Sequence, residues 1–226
     1  MSEEDRMQIH VTHTWDVSPE EAISIQEGLR QQVICQDRFG PLRRIAGVDV
    51  GFESDGAITR AAVAVLSFPE LSLQEAVLAR RPTTFPYLPG LLSFREAPAI
   101  LEALSRLGAA PDLLVCDGHG LAHPRRIGLA CHLGLACDLP SIGVAKSLLI
   151  GRHQPVGEGG GDWQPLWEED EVIGAALRTQ PSVKPVYVSI GHRISLETAT
   201  DIVLRCTTCY RLPEPIRQAH RLASRK

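Results

Sequence analysis

The chain has 226 residues, 44% hydrophobic and 22% charged, with a formal net charge of −4. That is the composition of an ordinary globular protein with a sizeable core, expected to be one domain over residues 1–226, and its negative balance argues against nucleic-acid binding driven by charge alone. No apolar run reaches the roughly 20 residues of a membrane span, the acidic start from Met1 to Arg6 is unlike a signal peptide, and no unusual apolar surface run is visible, so a cytoplasmic monomer without membrane contact is expected.

Residues 1–16 read as a loosely held lead-in. Ser18, Pro19 and Glu21 then form a helix start: Ser as N-cap, Pro at the first helical position, Glu as the capping-box partner. The helix is expected to reach about Gln36, before Gly40 and Pro41 punctuate the chain. Three strand-like runs follow, Ile45–Glu53, Ile58–Phe68 and Leu73–Arg80. The breaks at Asp55-Gly56 and Pro69-Glu70 are short enough to join antiparallel neighbours in a meander.

Pro82 to Gly90 contains Pro86 and Pro89 as well, which makes a stiff irregular loop around Tyr87. Leu91 to Leu107 has helical periodicity, with a kink or late start expected at Pro98. Asp112–Cys116 reads as a strand, Pro124–Cys137 as an apolar helix and Ser141–Ala145 as a short strand. Val156–Glu171 is Gly-rich and acidic and reads as a surface excursion. Val183–Ile190 is a strand, Ser195 caps a helix ending near Cys206, and Leu212–Arg225 is a basic helix. A meander followed by helix, strand, helix and strand predicts an α/β fold. Its mixed sheet has an antiparallel three-strand unit, then parallel strands that need crossover helices.

The six cysteines have no disulfide-framework spacing and read as buried, reduced thiols. Cys206 and Cys209 form the one CxxC pair, and a zinc ribbon needs two. His119 and His123 have helical zinc-site spacing, but Gly118, Gly120 and Pro124 make their segment a loop.

Asp49 and Asp117 each end an apolar strand-like run with glycine close behind. A carboxylate in such a place is costly unless paired, and two converging at one sheet edge repel unless a divalent cation lies between them. The alternative is that each merely starts a turn. Glu96, on the helix after the proline loop, is a third candidate acid, or a surface residue paired with Arg95. Hard oxygen ligands of this kind suit Mg²⁺ or Mn²⁺ better than zinc.

The segments Gly47–Phe52, Pro86–Glu96, Asp117–Arg126, Ile142–Ser147 and Tyr210–Arg217 resemble the endonuclease V family of deoxyinosine-specific DNA repair nucleases. They come in the family's order, and the resemblance spans about residues 20–224. It implies a ribonuclease H-like fold. It also implies Asp49 and Asp117 as metal ligands, Glu96 as a third acid, and Lys146 near the scissile phosphate. His220 stands where members carry His or Asp, and is expected to act through a bound water or on the nucleophile. Tyr87 resembles the family's wedge residue, a ring able to enter the base stack when a nucleotide flips out.

The resemblance further implies a hypoxanthine pocket near Gly90, Gly118 and Gly120, whose amides would be unshielded. Leu92, Leu129 and Leu149 are its candidate walls, though each also suits a core. His123 is expected to orient a phosphate or a water, and Arg125 and Arg126 to meet a DNA phosphate or a surface glutamate. The implied reaction is Mg²⁺-dependent hydrolysis of the second phosphodiester bond 3′ to deoxyinosine in DNA, with Mn²⁺ able to substitute, initiating repair. Three alternatives remain open: cleavage of inosine-containing RNA, a noncatalytic inosine-recognition module, and a phosphohydrolase of small nucleotides.

Overall fold

The computed structural model describes residues 7–224. Eight strands form one sheet: β1 (Arg44–Glu53), β2 (Ile58–Ser67), β3 (Leu73–Pro82), β4 (Leu113–Asp117), β5 (Ser141–Ala145), β6 (Trp163–Glu168), β7 (Glu171–Leu177) and β8 (Val186–His192). Their order across the sheet is β3-β2-β1-β4-β5-β8-β7-β6. The meander is present, with β1 and β2 antiparallel from Arg44↔Ser67 to Glu53↔Ile58. β4 and β5 then run parallel to β1, as the crossover helices require. The parallel section stops there, because β8, β7 and β6 are each antiparallel to their neighbours.

The Val156–Glu171 excursion is therefore partly a correction. Its second half is β6, an edge strand paired with β7 from Trp163↔Leu177 to Glu168↔Glu171. Trp163 and Trp167 face solvent and Leu166 is buried, so one apolar position per turn of the pleat was masked by the acidic and glycine-rich flanks.

The described residues form five helices, α1 (Pro19–Leu29), α2 (Leu92–Ser105), α3 (Leu129–Cys137), α4 (Leu196–Arg205) and α5 (Glu214–Ser224). Of these, α2 to α5 pack on the two faces of the sheet, and α1 packs on Phe94 of α2 and Cys131 of α3. On one face Val48, Val63, Leu114 and Cys116 pack with Ile100 and Leu104 of α2 and Leu133 of α3. On the other, Ile45, Leu113, Val115 and Ile142 pack with Ile202 and Val203 of α4 and Ile216 of α5. β2 is buried on both sides, which explains its continuous apolar run.

The capping box at Ser18 forms as expected: Ser18 Oγ accepts from Glu21 N, and Glu21 Oε2 accepts from Ser18 N. α1 ends at Leu29 with a 3₁₀ turn over Arg30–Gln32, short of Gln36. α2 runs through Pro98 instead of starting after it. α3 begins at Leu129, five residues beyond Pro124, because the intervening chain is a folded loop. Residues 7–16 carry no helix or strand, but Met7, Ile9, Val11 and Trp15 pack on the α2–α3 core. His10 N donates to Ala136 O at 2.6 Å; the first six residues lie outside the described part. Cys35 and Cys209 are exposed, against the expectation of burial, while the other four thiols are buried.

Candidate active site

Asp49 and Asp117 reach one place because of strand periodicity. The parallel pairing of β1 with β4 ends at Val48↔Cys116, so each Asp lies one residue past the last paired rung on adjacent strands. Ile45, Leu113 and Val115 point to the α4–α5 face, and the period of two sends Asp49 and Asp117 to that same face. Lys146, one residue beyond β5, joins them with Nζ 2.5 Å from Asp117 Oδ2.

His220 comes from α5, which lies along β1. Gly47 and Gly51 flank Asp49 on the same face, and a Cβ at either would strike α5 backbone, at Pro215 or Ala223. The missing side chains let the helix sit close enough for His220 Nδ1 to donate to Asp49 Oδ2 at 2.7 Å. Asp49 Oδ1 accepts from Val50 N at 2.8 Å. Ligand atoms of Asp49, Asp117 and His220 all lie within 4.8 Å of one another.

Glu96 approaches from the opposite layer, on α2, and is not one of that three. It is buried, and burial followed by the charges of Asp49 and Asp117 raises its carboxyl to about 8. Burial and then Asp117 also raise the carboxyl of Asp49. Arg95 is not the surface partner considered for Glu96: its Nη1 donates to Phe85 O at 2.9 Å and its guanidinium lies 4.5 Å from the Phe52 ring centroid. The carboxylates thus crowd without enough cation, which a divalent ion held by Asp49 and Asp117 would relieve.

A cleft of about 230 Å³ has His119 and Ser147 in its lining, the former two residues along the chain from Asp117 and the latter next to Lys146. Gly90, Leu92, Leu129 and Leu149, the expected pocket residues, line it, and so do Tyr87, expected as a wedge, and His123, expected on a phosphate or a water. Tyr87 is 72% exposed, while Phe85 and Leu91 on either side are buried among Ala22 and Phe94. The loop is therefore anchored at both shoulders and free at its aromatic tip.

Gly118 is not among the lining residues. Its amide donates to Val144 O at 3.3 Å and it sits behind Leu129. Gly120 N donates to Ser189 Oγ at 2.8 Å, so these two amides are used by the fold and not left unshielded. Gly90 differs: with φ of +80° it turns its carbonyl toward three donors. Gln26 Nε2, His123 Nε2 and Arg125 Nη2 donate to it at 3.1, 2.9 and 2.7 Å. His123 and Arg125, for which a phosphate, a water or a surface glutamate was expected, thus clamp the Tyr87 loop. Arg126 pairs with Glu171 at 2.7 Å, the surface-glutamate alternative. Burial lowers His119 and His123 to about 4, so both are neutral.

Sequence reasoning missed Gln26, Ser93 and Ser147 as cleft residues. Gln26 had a legible signal, a polar side chain on the stripe of Ala22 and Leu29 on α1. Ser93 and Ser147 fall inside two of the segments that carry the resemblance, Pro86–Glu96 and Ile142–Ser147, which was their signal.

The endonuclease V family model matches residues 27–221. An endonuclease V from Trichormus variabilis is 61% identical over 221 residues, covering 97% of this chain and all of that protein. The crystal structure of endonuclease V from Streptomyces avermitilis superposes with a TM-score of 0.89 at 42% identity, covering 96% of each chain. That of Ciona intestinalis endonuclease V bound to a 23mer DNA, with an inosine followed by a ribo-adenosine, gives 0.80 at 31% identity, covering 92% of this chain and 97% of that one. The eight-stranded mixed sheet is thus ribonuclease H-like, and the chain belongs to the endonuclease V family of nucleases.

Proposed function

We propose that this protein is a divalent-metal-dependent endonuclease that recognises deoxyinosine in DNA and hydrolyses the second phosphodiester bond on its 3′ side, initiating repair. The convergence of Asp49, Asp117 and His220 beside a cleft edged by Tyr87 carries this reading.

Asp49 and Asp117 would hold the cation, with Mg²⁺ the natural occupant of hard oxygen ligands and Mn²⁺ a substitute. When bound, it supplies charge neutralisation and polarises the phosphoryl oxygen and the attacking water. Glu96, protonated in the crowded acid cluster, ionises as that charge is balanced. Lys146 carries a mobile cation to the phosphate side of Asp117 and offsets charge developing on the phosphoryl oxygens. His220 Nδ1 donates to Asp49 Oδ2, and its Nε2 lies 3.4 Å from the Ser224 hydroxyl, which a water would replace to reach the ring. The exposed ring of Tyr87, on a loop already stiffened by proline, wedges the strand at little ordering cost. The cleft behind it receives the flipped base.

The DNA bound by the Ciona relative carries a ribo-adenosine after the inosine. That favours a second reading, in which inosine-containing RNA is also cut. The test is a strand-labelled duplex with one deoxyinosine, incubated with Mg²⁺ or chelator and mapped to the nucleotide. A Mg²⁺-dependent nick one nucleotide beyond the lesion's own 3′ bond is expected. Binding without a nick in any divalent metal would overturn the catalytic reading.

A further inference from the structure

Ser93 lies in the first turn of α2 and lines the cleft, although it is only 2% exposed. Behind it runs a chain of hydrogen bonds toward the N-terminal segment. Ser93 Oγ is 3.0 Å from His132 Nδ1. His132 Nε2 is 2.8 Å from His13 Nε2, and His13 Nδ1 is 2.8 Å from the carbonyl oxygen of Thr14.

The outer end sets the direction of the whole chain. A carbonyl only accepts, so His13 Nδ1 carries a proton, and in the tautomer with that one ring proton Nε2 accepts. His132 must then donate from Nε2. His132 is enclosed by Trp15, Phe94 and His13, and burial keeps it neutral, so its Nδ1 is an acceptor. Ser93 fills that acceptor with its single O–H. What Oγ has left for the cleft is lone pairs.

We propose that Ser93 Oγ is a one-way hydrogen-bond acceptor that reads an N–H on the pairing edge of the base seated in the cleft, with His132 as the positioning residue that fixes its polarity. This rests on the deoxyinosine reading above and adds how the cleft rejects the undamaged base. Deamination of adenine turns N1 from a lone pair into an N–H. A hydroxyl free to rotate would accept from one and donate to the other. A hydroxyl already committed to His132 pairs with hypoxanthine and faces adenine lone pair to lone pair. Leaving such groups unpaired in a dry site is what separates near-identical ligands.

The test is equilibrium binding in chelator of three duplexes that differ at one position: deoxyinosine, deoxyadenosine, or 2′-deoxynebularine, a purine with neither N1–H nor 6-oxo group. Ser93→Ala should weaken deoxyinosine binding about tenfold, one hydrogen bond's worth, and leave deoxynebularine within about twofold. His132→Phe keeps the Ser93 oxygen but frees its hydroxyl, so the preference for deoxyinosine over deoxyadenosine should fall about tenfold. A purely structural role would move all three duplexes together, and that outcome, or an unchanged preference in both variants, overturns the inference. A wild-type protein that does not prefer deoxyinosine at all overturns the parent reading and this one with it. A wild type that does, with preference intact in Ser93→Ala, removes only the role of Ser93.

Discussion

Gly47 lies against the carbonyl of Pro215, where a Cβ would overlap the oxygen. A Cβ at Gly51 would stand 2.5 Å from the carbonyl oxygen of Ala223, one helix length further on. These two glycines set the distance between β1 and α5, and so the reach of His220. Gly47→Ala should cost about 1–3 kcal/mol by overpacking and depress cleavage further by lifting His220 off Asp49. Gly28 in α1 has nothing within 4 Å of its missing Cβ, so Gly28→Ala should be neutral or slightly stabilising. Melting and cleavage of the two variants side by side check this, and equal effects would remove the packing argument.

Asp117→Asn keeps the size of the side chain and removes one charge from the acid cluster. Cleavage of deoxyinosine DNA should drop about a thousandfold or more, while binding in chelator persists. Retained turnover in Mg²⁺ would sink the metal assignment.

Tyr87 and Phe85 sit two residues apart in the same loop with opposite exposure, 72% and 4%. Tyr87→Ala should leave the melting temperature almost unchanged and weaken lesion binding. Phe85→Ala should cost about 3–5 kcal/mol. Comparable melting temperatures for the two would contradict the anchored-loop arrangement.

His123 and His132 are buried, and burial lowers them to about 4 and about 3. In the unfolded chain each takes up a proton as pH falls through about 6.5, whereas the folded state resists until far lower. The unfolded state therefore binds more protons in that window. The stability these residues contribute is full above it and is lost as pH falls, by about 1.4 kcal/mol per pH unit each. Urea unfolding near pH 7 and near pH 5.5 should show His132→Phe losing about 1 kcal/mol less than wild type. An equal loss would mean that His132 is not held neutral.

Glu96 shows the opposite linkage. With its carboxyl raised to about 8 by burial and by Asp49 and Asp117, its contribution without a cation is present below its ordinary range and lost as pH rises through about 8. A bound divalent ion counters that loss. Mg²⁺ should raise the melting temperature more near pH 8 than near pH 6, and the shift should vanish with chelator or in Asp49→Asn. A shift independent of pH would disconnect Glu96 from the cation.

Features that depend on near neighbours are legible in the chain alone: the meander with its short turns, the Ser18 and Ser195 caps, the proline-stiffened loop, and two apolar runs each carrying an Asp. Asp117 does end its strand, but Asp49 does not, because β1 continues to Glu53 along its antiparallel pairing with β2. Local propensity, period-two alternation and turn chemistry act over a few residues and can be read there. Which of these features meet depends on folding. His220 is 171 positions from the carboxylate it binds, and the Gly90 carbonyl takes its donors from 33, 35 and 64 positions away. The resemblance suggests a phosphate or a water for His123, and the position of Arg125 before a helix suggests an anion; the chain alone does not show that both also reach the Gly90 carbonyl. β6 is hidden in the sequence because an edge strand needs only one buried position per repeat, and the sheet that supplies its hydrogen bonds exists only once the chain has folded; β7, buried from Ile173 to Leu177 between two neighbours, does carry a legible apolar run.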